Sequence, residues 1–195
     1  LQDYAVQIRG IAPLIHNRYP LDAVSITKKK PRGTIFNPTE EVQKCFYRDL
    51  NGKIYQPADH IEGALIKIGS SKTIPGRGKT TYKDMMKTNI MVLPVEIPFP
   101  NGEKFITDVR LGVIPATRGR VPIARPLWED WAFNFTLRVF DETLIEGDTV
   151  KELLEMAGRE KGIGTYRPKY GRFEVTKFDP VKTPKPKAEK LSGVK

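Results

Sequence analysis

Polar and apolar positions alternate with period two from Tyr4 to Ile11, with Tyr4, Val6 and Ile8 on one face and Gln7 and Arg9 on the other. That pattern predicts a half-buried strand. Gly10 and Pro13 disturb it, and His16-Asn17-Arg18-Tyr19 leads into a loop. Residues 20 to 38, with a lysine run and three prolines, read as an irregular excursion. Thr39 to Tyr47 carries Val42, Cys45 and Phe46 at helical spacing and predicts a short helix, with Cys45 as a small core residue. Asp59 to Gly69 is a stronger helix. Asp59 and Glu62 have capping-box spacing, Ile61, Ala64, Leu65 and Ile68 form a stripe, and Gly69 stops it.

Asn89 to Phe99 predicts a strand, with Pro94 marking an edge or a bulge. Asn101-Gly102 then turns the chain, and Lys104 to Ile114 is expected to return as the hairpin partner. Trp131 to Phe140 shows the cleanest alternation, with Trp131, Phe133, Phe135, Leu137 and Val139 against Asn134, Thr136 and Arg138. Thr149 to Arg159 predicts the second strong helix, with Thr149 and Glu152 as its capping box and Val150, Leu153, Leu154 and Ala157 as its stripe. Arg172 to Phe178 alternates as a last strand.

Strand, helix, strand, strand, helix, strand is the order of the ferredoxin-like unit. The fold expected is therefore α+β, a ferredoxin-like or RNA-recognition-like antiparallel sheet with two helices on one face and large insertions. Residues 1–178 read as one domain, with insertions at about 20–57 and 70–125. Asp179 to Lys195 has five lysines, three prolines and no aromatic residue, and reads as a flexible basic tail.

The composition adds a partner to this scaffold. Among 195 residues, 33 Lys and Arg oppose 23 Asp and Glu, a formal net charge of +10. Such a surplus points to a polyanion, of which nucleic acid is the commonest. The cations cluster. Lys28-Lys29-Lys30-Pro31-Arg32 is one block, and Gly63 to Lys83 holds Lys67, Lys72, Arg77, Lys79 and Lys83 with no acid. Val109 to Trp128 holds Arg110, Arg118, Arg120 and Arg125 with no acid, and Ala157 to Phe173 holds five cations against Glu160. The last block interleaves Tyr166, Arg167, Lys169, Tyr170 and Arg172 with glycines that allow close backbone approach. Cations neutralise phosphates while tyrosine rings stack on bases. From these blocks, and alongside Arg18, the candidate nucleic-acid-binding set is Lys28, Lys29, Lys30, Lys67, Lys72, Arg77, Lys79, Arg118, Arg120, Arg125, Tyr166, Arg167, Lys169, Tyr170 and Arg172. The open face of the sheet is a second expected platform for single-stranded RNA.

Other chemistry is scarce. The lone Cys45 excludes a disulfide framework and a cysteine-rich zinc site, and fits a reducing, cytoplasmic compartment. No run of 18 apolar residues predicts a membrane span, and no signal peptide is visible. Gly76-Arg77-Gly78-Lys79-Thr80 lacks the first glycine of a nucleotide-hydrolysing loop, since Thr73 stands there. No cofactor or metal site is expected. The one catalytic candidate is His16, as general base of a metal-independent RNA endonuclease. His60 reads as structural.

Three segments resemble the repeat-associated mysterious proteins that build the backbones of CRISPR effector complexes. Gly10-Ile11-Ala12-Pro13-Leu14-Ile15 is similar to that family's "G-x-x-P-L" continuation of the first strand. Gln56 to Ile66 is similar to its "I-P-x-S-x-I-K-G-A-L-R" helix, and Gly158 to Phe173 to its glycine-rich loop. The resemblance, to a divergent member, implies an RNA-recognition-like fold and contacts to single-stranded nucleic acid, RNA preferred, in antiviral defence. It also implies side-by-side assembly along the strand, as a homo-oligomer or within a hetero-complex. A different reading is a structural assembly subunit of a virus or mobile element.

Overall fold

The computed structural model describes residues 1–18, 35–113 and 118–181. Its nucleus is a four-stranded antiparallel sheet of β1 (Gln2–Gly10), β4 (Ile90–Leu93), β8 (Ala132–Val139) and β9 (Phe173–Pro180), in the order β4-β8-β1-β9. Helices α2 (Ala58–Gly69) and α4 (Gly147–Glu160) pack together against one face. The order along the chain, β1, α2, β4, β8, α4, β9, gives the ferredoxin-like α+β fold.

The alternation of the strands dictates which face is covered. Tyr4, Val6 and Ile8 point inward beside Phe133, Phe135, Leu137 and Val139. Ile61, Ala64, Leu65 and Ile68 of α2 and Val150, Leu153, Leu154 and Ala157 of α4 close the core over them. Each large aliphatic side chain buried this way contributes roughly 1.5–3 kcal/mol.

Neither predicted capping box forms. The N-cap of α2 is Pro57, and Glu62 instead accepts the backbone N–H of Val92 at 2.7 Å, tying the helix to β4. Helix α4 starts earlier, with Glu146 as N-cap. Its first residue is a glycine because a Cβ on Gly147 would lie 2.1 Å from the Tyr4 hydroxyl.

The insertions build a second layer. A short helix α1 (Pro38–Gln43) is capped by the Asn37 side chain, and another, α3 (Lys83–Thr88), packs on α2. Strand β3 (Tyr55–Pro57) pairs with β5 (Glu96–Pro98), and β2 (Leu14–Ile15), β7 (Arg120–Trp128) and β6 (Ile106–Val113) form a three-stranded sheet in the order β2-β7-β6. Here the expected hairpin is corrected. Residues 89–99 are two strands broken at Pro94, β4 pairing with β8 and β5 with β3. The partner of β6 is β7, joined over Ile106↔Leu127 to Val113↔Arg120. Pro122 and Pro126 hid β7 from a reading by pattern. Four residues apart, they present their missing N–H groups on the same strand edge, and β2 covers that edge only at Leu127 and Trp128. Strand β9 runs through Asp179, paired with Ala5, so the regular structure extends past residue 178.

Candidate nucleic-acid interface

Four glycines shape the segment that follows α4. Gly162, Gly164 and Gly171 have positive φ, and a Cβ on Gly171 would lie 1.8 Å from the Ile163 carbonyl oxygen. A Cβ on Gly158 would meet the Phe173 carbonyl oxygen at 2.2 Å, so α4 and β9 approach backbone to backbone. The loop is pinned by main-chain bonds from Ile163 N to Gly171 O at 2.9 Å, Thr165 N to Ile15 O at 2.9 Å, and Gly171 N to Pro13 O at 2.8 Å. Between those pins the chain throws Tyr166 outward in the left-handed conformation, φ 58°, with its side chain exposed. A non-glycine residue there is uncommon and signals a position fixed by its surroundings.

What fixes it is the β6–β7 hairpin. Register pairs Asp108 with Arg125 and Arg110 with Ile123, which puts both arginines on the face turned to the loop. The Arg110 guanidinium carbon lies 5.1 Å from the Tyr166 ring centroid and 4.7 Å from that of Tyr170, and Arg110 Nη2 donates to the Tyr170 hydroxyl. Arg125 lies 4.7 Å from the Tyr166 centroid and Lys169 Nζ 5.8 Å from that of Tyr170. The two tyrosine rings are 6.2 Å apart. Such contacts contribute roughly 0.5–1 kcal/mol each at exposed sites.

The electrostatics are lopsided. Among the described residues, Asp108 is the one carboxylate hydrogen-bonded to this cluster, through both Nε and Nη2 of Arg110. That bond, then the one to Tyr170, raises the Arg110 pKa still further above the usual guanidinium range. Arg125 has no carboxylate partner among the described residues, and its Nε is buried without an acceptor. A buried donor left in this way costs free energy.

Arg125, Tyr166, Lys169 and Tyr170 are thus brought together, and Arg110, outside the predicted set, joins them. Its signal was the spacing Asp108-x-Arg110, two residues of one strand face, opposite Arg125. Arg167 stands near His60, whose pKa is lowered to about 4 by burial first and by the Arg167 charge second. Arg167 shares a cleft with Lys67, Lys161 and Glu160. Arg172 is exposed where β9 begins, and Arg118 and Arg120 are exposed at the start of β7. Lys72 pairs with Glu160 at 3.9 Å. Arg77 and Lys79 sit in an exposed turn closed by the Thr73↔Thr81 bridge, and belong to no contact of the cluster. Arg18 lies beside Tyr47 and Tyr55, on another side. Lys28, Lys29 and Lys30 lie outside the described residues.

Two expectations are corrected. The open sheet face has no aromatic platform. Ala5, Gln7, Asn134 and Thr136 occupy its centre, Arg138 is held by Asp3 at 2.7 Å, and Arg9 faces Asp130 at 3.8 Å. His16 is not placed as a general base. It is fully buried among Tyr47, Phe99 and Trp128, and its Nε2 donates to Gln56 Oε1 at 2.8 Å. Gln56 in turn donates to His60 Nδ1 at 2.9 Å. Burial lowers the His16 pKa to about 3, so the ring is a neutral core group. Among the described residues, no three His, Cys, Asp or Glu side chains gather as a metal site, and no helix is long and apolar enough to cross a membrane.

Fold and site together define a ferredoxin-like α+β protein with a cationic, tyrosine-bearing face built by the inserted β6–β7 hairpin and the loop after α4. No model of a protein family matches the chain, and no curated protein does. Among solved structures it is similar to a chain in the cryo-EM structure of the Type III-B Cmr-beta bound to cognate target RNA. The TM-score is 0.54 at 14% identity, over 93% of this chain and 61% of that one. The chain therefore spans about three-fifths of that neighbour's length, and the likeness is one of fold.

Proposed function

We propose that this protein binds single-stranded nucleic acid, RNA by preference, without cleaving it, as a subunit that assembles side by side along the strand in a CRISPR-type effector. The observation that carries the reading is the meeting of Arg110 and Arg125 with Tyr166 and Tyr170, from segments far apart in sequence, around one carboxylate. Arginines and Lys169 would neutralise phosphates, and the exposed Tyr166 would offer a face to a base. Arg118, Arg120, Arg167 and Arg172 would extend the track, with Lys67 beside Arg167 in its cleft. The neighbouring fold comes from a complex that holds target RNA, which favours RNA over DNA.

The test is a titration of fluorescently labelled RNA and DNA, single- and double-stranded, over a salt series. Affinity for single strands is expected to fall with salt at a log–log slope of about −0.7 per phosphate neutralised. Absence of binding at low salt would overturn the reading.

A further inference from the structure

A groove of about 530 Å³ runs beside the β3–β5 ladder. Its lining joins Tyr55, Phe99 and Pro98 to the carboxylates of Asp49, Glu96 and Glu103. Glu103 is paired with Arg48 at 2.9 Å, but Glu96 and Asp49 have no ion pair among the described residues. Asp49 holds the following turn by accepting the Asn51 and Lys53 N–H groups on one oxygen, leaving the other for a ligand. Lys53 lines the groove and Arg18 lies near Tyr55, so the acidic character is local to Glu96 and Asp49.

Rings and prolines next to free carboxylates suit one kind of occupant, an extended Pro-Lys peptide. Its prolines pack on aromatic faces, and its lysine stems carry ammonium groups to the acids. In a chain of net charge +10, such a segment is present as Pro184-Lys185-Pro186-Lys187.

Reach decides whose segment it is. Val181 donates to Asp3 O at 2.8 Å, so the C-terminal residues leave from the start of β1. Phe99 of the groove packs on Phe133, the β8 partner of Ile8, five residues along β1 from Asp3. Asp3 to Ile8 spans roughly 17 Å of strand. Pro184 reaches at most about 11 Å past Val181, so Pro184–Lys187 cannot lie along the groove of its own copy. We propose that the groove receives Pro184–Lys187 of a second copy of this chain. The proposal shares no residue with the nucleic-acid cluster and stands or falls without it.

The experiment uses the full chain freed of nucleic acid. Natural and ¹⁵N-labelled protein are mixed in high salt, dialysed to low salt and treated with a carbodiimide that joins lysines to touching carboxylates. Mass spectrometry is expected to find Lys185 or Lys187 linked to Glu96, Asp49 or Glu103 of the copy with the other isotope. The expected excess over links to exposed Glu129 and Asp130 is about fivefold, the discrimination given by about 1 kcal/mol. The full-length double variant P184G/P186G keeps every charge and is expected to lose the excess. Links within one isotope alone, an even spread over surface carboxylates, or indifference to the proline changes would overturn the proposal.

Discussion

Arg110 and Tyr170 lie sixty positions apart in sequence, yet the guanidinium carbon of one stands 4.7 Å from the ring centroid of the other, and the Arg110 Nη2 donates to the Tyr170 hydroxyl. This contact stitches the β6–β7 hairpin to the glycine-rich loop and orders the cationic face before any ligand arrives. Preorganisation of this kind lowers the entropy lost on binding.

Binding variants should separate stacking from charge. Tyr166→Ala is expected to weaken single-strand affinity by 1–3 kcal/mol, roughly 5- to 150-fold, at every salt concentration. Arg125→Gln should instead flatten the salt dependence by about 0.7 in slope. Both are read in the labelled-oligonucleotide titration.

The open sheet face gives the matching negative. Gln7→Ala and Asn134→Ala are expected to leave affinity within about twofold, since scattered surface changes are worth under roughly 0.5 kcal/mol. A larger loss in the same titration would place the strand on the sheet.

Glycine positions with opposite surroundings should respond oppositely. Gly158→Ala drives a methyl to 2.2 Å from the Phe173 carbonyl oxygen and is expected to cost at least about 2 kcal/mol. Gly63→Ala, inside α2 with nothing within 4 Å of the added atom, is expected to gain about 0.5–1 kcal/mol from helix propensity. Urea unfolding measures both.

Acid should destabilise the fold through its histidines. His16 and His60 have pKa values lowered to about 3 and about 4, while in the unfolded chain each titrates near the ordinary 6.5. Below pH 6.5 the unfolded chain binds protons that the native chain does not, so stability is full above that pH and falls as pH drops toward 4. His16 alone should account for about 2 kcal/mol between pH 7 and pH 5. In His16→Gln the gap between unfolding curves at the two pH values should shrink by about half, with His60 supplying the remainder.

Cys45 is expected to resist thiol reagents in the native protein and to react on unfolding. Its side chain is buried, and burial, the largest influence, raises its pKa. A thiol-reactive dye followed with and without denaturant checks this.

The core of the fold was legible because period-two and helical stripes report directly on burial. Val6 and Ile8, Phe133 to Val139, and the stripes of α2 and α4 are where the pattern placed them. The ends of the helices were not, because Asp59 and Thr149 carry the right side chains while tertiary contacts at Glu62 and Gly147 set where each helix begins. Nor was β7, whose prolines look prohibitive until the open edge of its sheet is known. His16 had the chemistry of a base in sequence, but its burial is a property of Tyr47, Phe99 and Trp128 converging from three segments.

The amino-acid sequence by itself determined a basic protein with an α+β core, and which strands and helices carry that core, because burial patterning is local. It also marked the loop of glycines, tyrosines and cations. Only the tertiary structure decided which cations share a face. Strand register chose Arg110 and Arg125 over their neighbours, Glu160 took Lys72 into an ion pair, and main-chain pins set Tyr166 against two guanidinium groups. Charge acts through distances across space, and those distances exist only once the chain has closed on itself.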